Sequence, residues 1–149
     1  MNKINIKFVM ALLAASLLLL TIGCNKDDNP VGGTESKLTG SWKLTEATIN
    51  PGTDSARVFN QTLLQLAGVS MLLDVKENGT YTFTTSDSSG QSTETGTWSV
   101  SGSNITITPD GDTGETLPFN LDGNTLTLTV AALEFGTDIF PAILKFTKQ

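Results

Sequence analysis

Residues 97–109, TWSVSGSNITITP, decide the fold. A two-residue turn at Gly102-Ser103 sets Ser101 against Asn104, Val100 against Ile105 and Trp98 against Ile107. Successive strand side chains point to opposite faces, so a slip of one residue would put every apolar group on the wrong side. In this register apolar meets apolar at every second rung, and Ser and Thr occupy the other face. Glycine at the first turn position suits the tight turns that join two-residue hairpins. The stretch is an antiparallel hairpin with one greasy and one hydroxylated face.

The pattern extends both ways. In residues 116–130, TLPFNLDGNTLTLTV, a turn at Gly123-Asn124 sets Leu121 against Leu126, Phe119 against Leu128 and Leu117 against Val130. Around Asn78-Gly79 a two-residue turn would oppose Tyr81 to Lys76 and Phe83 to Asp74. A three-residue loop, Glu77-Asn78-Gly79, instead pairs Val75 with Tyr81 and Leu73 with Phe83. Gly79 then takes the left-handed position of a bulge. Trp42 and Leu44 share one face of an opening strand, and Phe140, Ala142, Leu144 and Phe146 share one face of a closing strand. A strand from Glu94 to Val100 follows a long loop, Asp87–Gln91. The chain is therefore all-β, an antiparallel up-and-down meander of about eight strands. Strands with one apolar face must curl until that face is interior, which gives a closed barrel, with a two-sheet sandwich as the alternative.

One segment breaks the alternation. In residues 54–68, DSARVFNQTLLQLAG, Phe59, Leu63, Leu66 and Ala67 recur at helical spacing. Asp54 or Ser55 is a candidate cap and Gly68 a stop. The expectation is one short helix between the first and second strands, lying across a barrel mouth. Phe59, Leu63 and Leu66 would form its inward face, as a plug that completes the core or as a lid.

The chain begins with Lys3 and Lys7, no acid, and an uncharged run of fifteen residues from Phe8 to Ile22. That is the layout of a secretory signal over residues 1–23. A membrane-spanning helix needs roughly 20 apolar residues, so the run is short for one. The single cysteine, Cys24, follows Gly23 directly. Residues 20–24, LTIGC, resemble the lipobox of bacterial lipoproteins, with Thr21 where a leucine is usual. The resemblance implies lipidation of Cys24 and a membrane partnership through that anchor. Lys26-Asp27-Asp28 resembles the surface-export signal of Bacteroidota lipoproteins, which implies an outer-membrane protein exposed on the cell surface, with the periplasmic leaflet as the alternative. Residues 24–37 read as a lipidated tether, and residues 38–149 as the folded domain.

Removing residues 1–23 leaves seven basic against fifteen acidic side chains, a net charge of −8. Nucleic acid is thereby disfavoured as a partner, since its affinity rests on cations that neutralise phosphates. The chain has no histidine, and an acylated Cys24 is no longer a thiol. Ser-His, Cys-His and zinc constellations are therefore not available, and neither catalysis nor a cofactor is expected. Residues 110–115, DGDTGE, have the composition of a calcium loop but not its spacing, so no metal is expected there. Asp54-Ser55-Ala56 matches a short Bacteroidota O-glycosylation motif and makes Ser55 a glycosylation candidate.

Residues 38–44, LTGSWKL, resemble the opening strand of the lipocalin-like domains found in Bacteroidota lipoproteins. Residues 96–100, GTWSV, followed by the glycine hairpin, match a later motif of the same family. The resemblance covers Leu38 to about Lys148. It implies an eight-stranded lipocalin/calycin-like barrel whose interior suits a small, largely apolar or amphipathic ligand. Gly40 and Trp42 are structural in that frame. Lipocalins typically stack an arginine from near the chain end on this tryptophan; here the last strand offers Lys145 and Lys148, and Lys145 alternates outward. If a ligand is held, alternation makes Tyr81, Phe83, Trp98, Phe119 and Leu128 its inward candidates. Glu94 and Glu46 also fall on inward faces, and Glu94 is the candidate for orienting a polar ligand group. The competing reading is a non-catalytic interaction module with a filled core, which contacts a glycan or a partner protein.

Overall fold

The structure, a computed structural model, describes residues 32–135 and 138–149. Residues 1–23, expected to be a secretory signal, Cys24 and the Lys26-Asp27-Asp28 triplet lie outside the described residues. A helix α1 (Gly32–Leu38) is followed by strand β1 (Gly40–Ile49), strand β2 (Arg57–Asn60) and helix α2 (Gln61–Leu66). Seven strands complete the chain: β3 (Ser70–Val75), β4 (Thr80–Asp87), β5 (Gly90–Ser101), β6 (Asn104–Pro109), β7 (Glu115–Asp122), β8 (Thr125–Phe135) and β9 (Asp138–Lys148).

Each strand from β3 to β9 pairs antiparallel with the next, and β9 returns to β1 from Trp42/Lys148 to Ile49/Ala142. The result is the closed eight-stranded barrel expected from the alternation, with β2 as an added strand. One edge of β1 is divided. Its first half, Gly40–Lys43, pairs with β3, and its second half, Glu46–Ile49, pairs with β2. An unpaired stretch of β1 would leave backbone groups without partners, and β2 fills that gap.

This recruitment explains where the helix departs from expectation. Residues 57–60 are drawn onto the open edge of β1, so the helix starts at Gln61 and not near Asp54. Its cap is Asn60, whose side-chain oxygen accepts from the Leu63 amide at 3.0 Å. Gly68 does end it, at φ +67°. The shorter helix buries Leu64 at 7 % exposure and leaves Leu63 at 45 % and Leu66 at 79 %. Leu63 and Leu66, expected as the inward face of a lid, therefore point outward, and Phe59 reaches the core from β2.

The glycine hairpins have the registers read from sequence. Trp98 opposes Ile107, Val100 opposes Ile105, Leu73 opposes Phe83, and Val75 opposes Tyr81. Gly79 sits at φ +80°. On the β7–β8 side the ladder runs from Asp122/Thr125 to Phe119/Leu128. The Phe119 amide donates to the Ser103 carbonyl, towards β6, so position 118 would have to donate towards β8. It is proline and has no N–H, and the expected Leu117–Val130 rung lies beyond the ladder's end. The long loop expected at Asp87–Gln91 is instead a tight turn in which Asp87 opposes Gly90. Asp87 Oδ1 accepts from the Ser89 amide at 2.7 Å and hydroxyl at 2.5 Å, which holds its carboxyl below the ordinary range.

The core fills one end of the barrel. Trp42, Tyr81, Phe146, Leu38, Ile105 and Leu126 are its largest fully buried side chains. Residues 32–37, expected to be tether, belong to α1, whose last residue Leu38 is wholly buried. The Trp42 indole donates to the Leu38 carbonyl at 2.7 Å, which ties the helix to β1. Lys148 Nζ lies 5.1 Å from the centre of the Trp42 ring and donates to the Lys37 carbonyl at 2.9 Å. A lysine thus occupies the place where the family resemblance implies an arginine. Gly40, at φ +127°, leaves room for it, because a Cβ there would stand 2.8 Å from Lys148 Cε.

Candidate functional site

The barrel is open at the other end, where β1 and β3 part and α2 lies across the gap. A cavity of about 240 Å³ sits beneath the helix. Leu44, Ala47 and Ile49 of β1 form one wall, and Phe59, Leu64 and Ala67 form the roof. Val69 and Met71 close one side, and Leu133, Phe140 and Leu144 of the last two strands close the other. Only two lining residues are polar, Asn50 and Arg57. Of the lid candidates, Phe59 alone lines this space; Leu64 and Ala67 supply the helix's share.

A β-bulge shapes the wall. Leu44 opposes Phe146, whereas Glu46 opposes Lys145, so β1 carries one extra residue at Thr45. Leu44 and Ala47 both turn inward as a result, although they are three residues apart. Glu46, assigned inward by strict alternation, is turned out and meets Lys145 Nζ at 2.6 Å. Lys145 points outward as expected. A second bulge between Val130 and Leu133 sets Leu133 against Phe140. Strand bulges re-aim side chains at barrel rims, and both of these aim apolar groups into the cavity.

Deeper in the barrel is a second space of about 50 Å³, and Met71, Leu133 and Leu144 border both. Tyr81, Phe83, Leu128 and Glu94, four of the inward candidates, line this smaller chamber. Glu94 is committed to the protein itself, since Tyr81 donates to its Oε1 at 2.7 Å. Burial, and then the Glu94 carboxylate, push the Tyr81 phenol well above its ordinary range. Tyr81 opposes Gly96, where a Cβ would overlap the Thr108 carbonyl and stand 2.8 Å from the Tyr81 ring. The glycine of the GTW motif is thus the space that the tyrosine occupies.

The other two candidates lie elsewhere. Phe119 packs against the core from β7. Trp98 belongs to the closed end, where its indole donates to the Lys76 carbonyl at 3.0 Å. There it borders a surface groove of about 310 Å³ together with Glu35, Ser36, Thr39, Glu77 and Ser99. Ser55 is exposed in the β1–β2 connection, with its hydroxyl 3.0 Å from that of Thr53.

Sequence reasoning missed Asn50, Arg57, Leu64 and Glu115. Glu115 opposes Ile107 and shares the face of Leu117, so its carboxyl faces inward. Its Oε2 is buried without a hydrogen-bond partner, and desolvation raises its pKa. The two-residue offset from Leu117 was the available signal, hidden because residues 110–115 read as a turn. Among the described residues no group of three or more acids, histidines or cysteines is placed to hold a metal ion.

With this geometry in view, residues 38–129 match the family model of the lipocalin-like domain. The chain belongs to that family. A lipocalin-like protein from Bacteroides uniformis has a similar fold, at TM-score 0.50 and 18 % identity, covering 76 % of this chain and 99 % of that one. A DUF4847 family protein from Bacteroides vulgatus aligns at TM-score 0.44 and 20 % identity, covering 79 % and 99 %. Comparison with curated proteins finds no match.

Proposed function

We propose that this chain is an outer-membrane lipoprotein, anchored through Cys24 and facing the cell surface, whose barrel holds a small apolar or amphipathic molecule. The observation that carries the binding role is the cavity beneath α2, about 240 Å³ in volume and apolar in its lining except for Asn50 and Arg57. It lies just below the lower end of typical ligand pockets, roughly 300 Å³, so the ligand is small. Cavities lined mainly by aliphatic and aromatic side chains accept apolar guests. The absence of histidine from the chain supports a binding role over a catalytic one. The address rests on residues 20–28, LTIGCNKDD, and their likeness to a lipobox and export signal.

Native mass spectrometry of the protein isolated from its own cells tests the binding role. A co-purifying small molecule, lost on delipidation, is the expected result; a homogeneous apo mass in every preparation would count against it. For the address, Cys24→Ala should move the protein from the membrane to the soluble fraction, and retention in the membrane would refute the anchor.

A second reading, an interaction module that contacts a glycan or partner protein, draws on the solid closed end. The groove there combines the Trp98 ring with hydroxyls and carboxylates, a surface suited to sugar hydroxyls. Binding of a surface glycan that is lost in Trp98→Ala but kept in variants of the α2 cavity would favour it.

A further inference from the structure

We propose that the α2 cavity selects an anionic amphiphile, with its acidic head on Arg57 at the rim and an apolar body of about eight heavy atoms inside. This rests on the reading of that cavity as the ligand site and adds the ligand's charge and length.

Arg57 is the only arginine in the chain, and it lines the cavity. Two of the lysines already have partners. Lys145 is bound to Glu46, and Lys148 is held between the Trp42 ring and the Lys37 carbonyl. Arg57, in contrast, makes neither an ion pair nor a side-chain hydrogen bond among the described residues. No aspartate or glutamate lines the cavity with it. In a chain of net charge −6, this rim offers an anion a guanidinium that has no ion-pair partner among the described residues. The guanidinium fork matches a carboxylate bidentately, which a lysine would not do.

Asn50 is the second polar group at the rim. Its backbone is fixed at φ +51°, with its amide donating to the Pro141 carbonyl at 2.9 Å and its carbonyl accepting from Thr53. Its side-chain amide has no hydrogen-bond partner among the described residues and is available to a head group. The polar lining is therefore confined to two residues at the edge, and everything beyond them is hydrocarbon. That is the polarity profile of a molecule with one charged end.

Length follows from volume. At roughly 30 Å³ per water-sized group, the cavity accommodates about eight heavy atoms. Met71, Leu133 and Leu144 stand between it and the inner chamber, whose 50 Å³ takes one or two more at most. A chain of about sixteen carbons is longer than these two spaces can enclose, and part of it would stay in water.

Titration calorimetry with octanoate, 1-octanol and hexadecanoate tests both parts. Octanoate should bind about fivefold more tightly than 1-octanol, the upper range for a partly exposed ion pair. It should bind at least tenfold more tightly than hexadecanoate. Arg57→Gln should bring the octanoate/octanol ratio close to one, and Arg57→Lys should keep part of it. Arg57 is exposed, so the variants should melt with the parent chain, and a matched melting curve verifies this. Equal affinity for the acid and the alcohol, or a preference that survives Arg57→Gln, overturns the head-group assignment. Tight hexadecanoate binding overturns the length. Binding of 1-octanol without charge preference leaves the cavity reading intact; failure of the acids and the alcohol alike removes both.

Discussion

Ala47→Leu distinguishes a real void from a solid core by the sign of its effect on stability. Ala47 is buried on β1 and faces the α2 cavity. Leucine adds three carbon atoms, about 90 Å³ at roughly 30 Å³ per group, to a space of about 240 Å³. Burying three methylenes contributes about 2.4 kcal/mol at ~0.8 kcal/mol each. Freezing the leucine rotamer costs about 0.5–1 kcal/mol. The net gain is about 1.5 kcal/mol, or about 6 °C in Tm for a domain of this size. In a well-packed core the same substitution destabilises by about 1–3 kcal/mol. Thermal and urea melts, read by tryptophan fluorescence and circular dichroism, measure the change. Ligand affinity should fall at the same time, because the guest and the new side chain compete for one space. A lower Tm for Ala47→Leu would refute the reasoning.

Three further outcomes follow from the inner face of the barrel. Tyr81 is the only tyrosine, so absorbance at 295 nm reports it alone. With its folded pKa raised, it should give no phenolate in the native protein above pH 10, and stability should decline there because only the unfolded chain ionises. Glu115→Gln should stabilise the protein by about 1 kcal/mol at pH 7, the low end for an unpartnered group because the residue is only partly buried. The raised pKa means that the folded state favours the protonated acid, so this gain should shrink as pH falls and vanish below about pH 4, which urea melts across pH can follow. Gly96→Ala should cost about 3 kcal/mol, because its methyl collides with the Thr108 carbonyl and the Tyr81 ring, whereas Gly33→Ala, with open space around it, should be neutral or slightly stabilising. Chemical denaturation of the two glycine variants side by side checks the contrast.

The barrel was legible because its turns are marked. Gly79, Gly102 and Gly123 fix three hairpins, and the apolar alternation admits one register for each. The features that make the cavity carry no such mark. The bulge at Thr45 has no glycine or proline beside it to announce it, so strict alternation puts Glu46 on the wrong face. The segment from Asp54 to Gly68 does have helical spacing, but whether residues 57–60 extend the helix or pair with β1 depends on an open edge, Glu46–Ile49, that lies earlier in the chain. That non-local choice shifted the helix phase from Leu63 and Leu66 to Leu64. Residues 32–37 look like tether because they are polar; their order comes from Leu38 beneath Trp42. A void has no sequence signature at all, since it is the volume that neighbouring side chains fail to fill. The inward face of the barrel was therefore readable, whereas the site at its mouth required the three-dimensional packing.

Methyl chemical-shift mapping on addition of 1-octanol tests the central claim most directly. The methyls of Ile49, Leu64, Met71 and Leu133 line the α2 cavity, while Ile105 and Leu126 lie fully buried in the packed core of the barrel. The first group should shift in saturable fashion and the second should stay fixed. Shifts centred on the Trp98 groove, or none at all, would contradict a ligand site beneath α2.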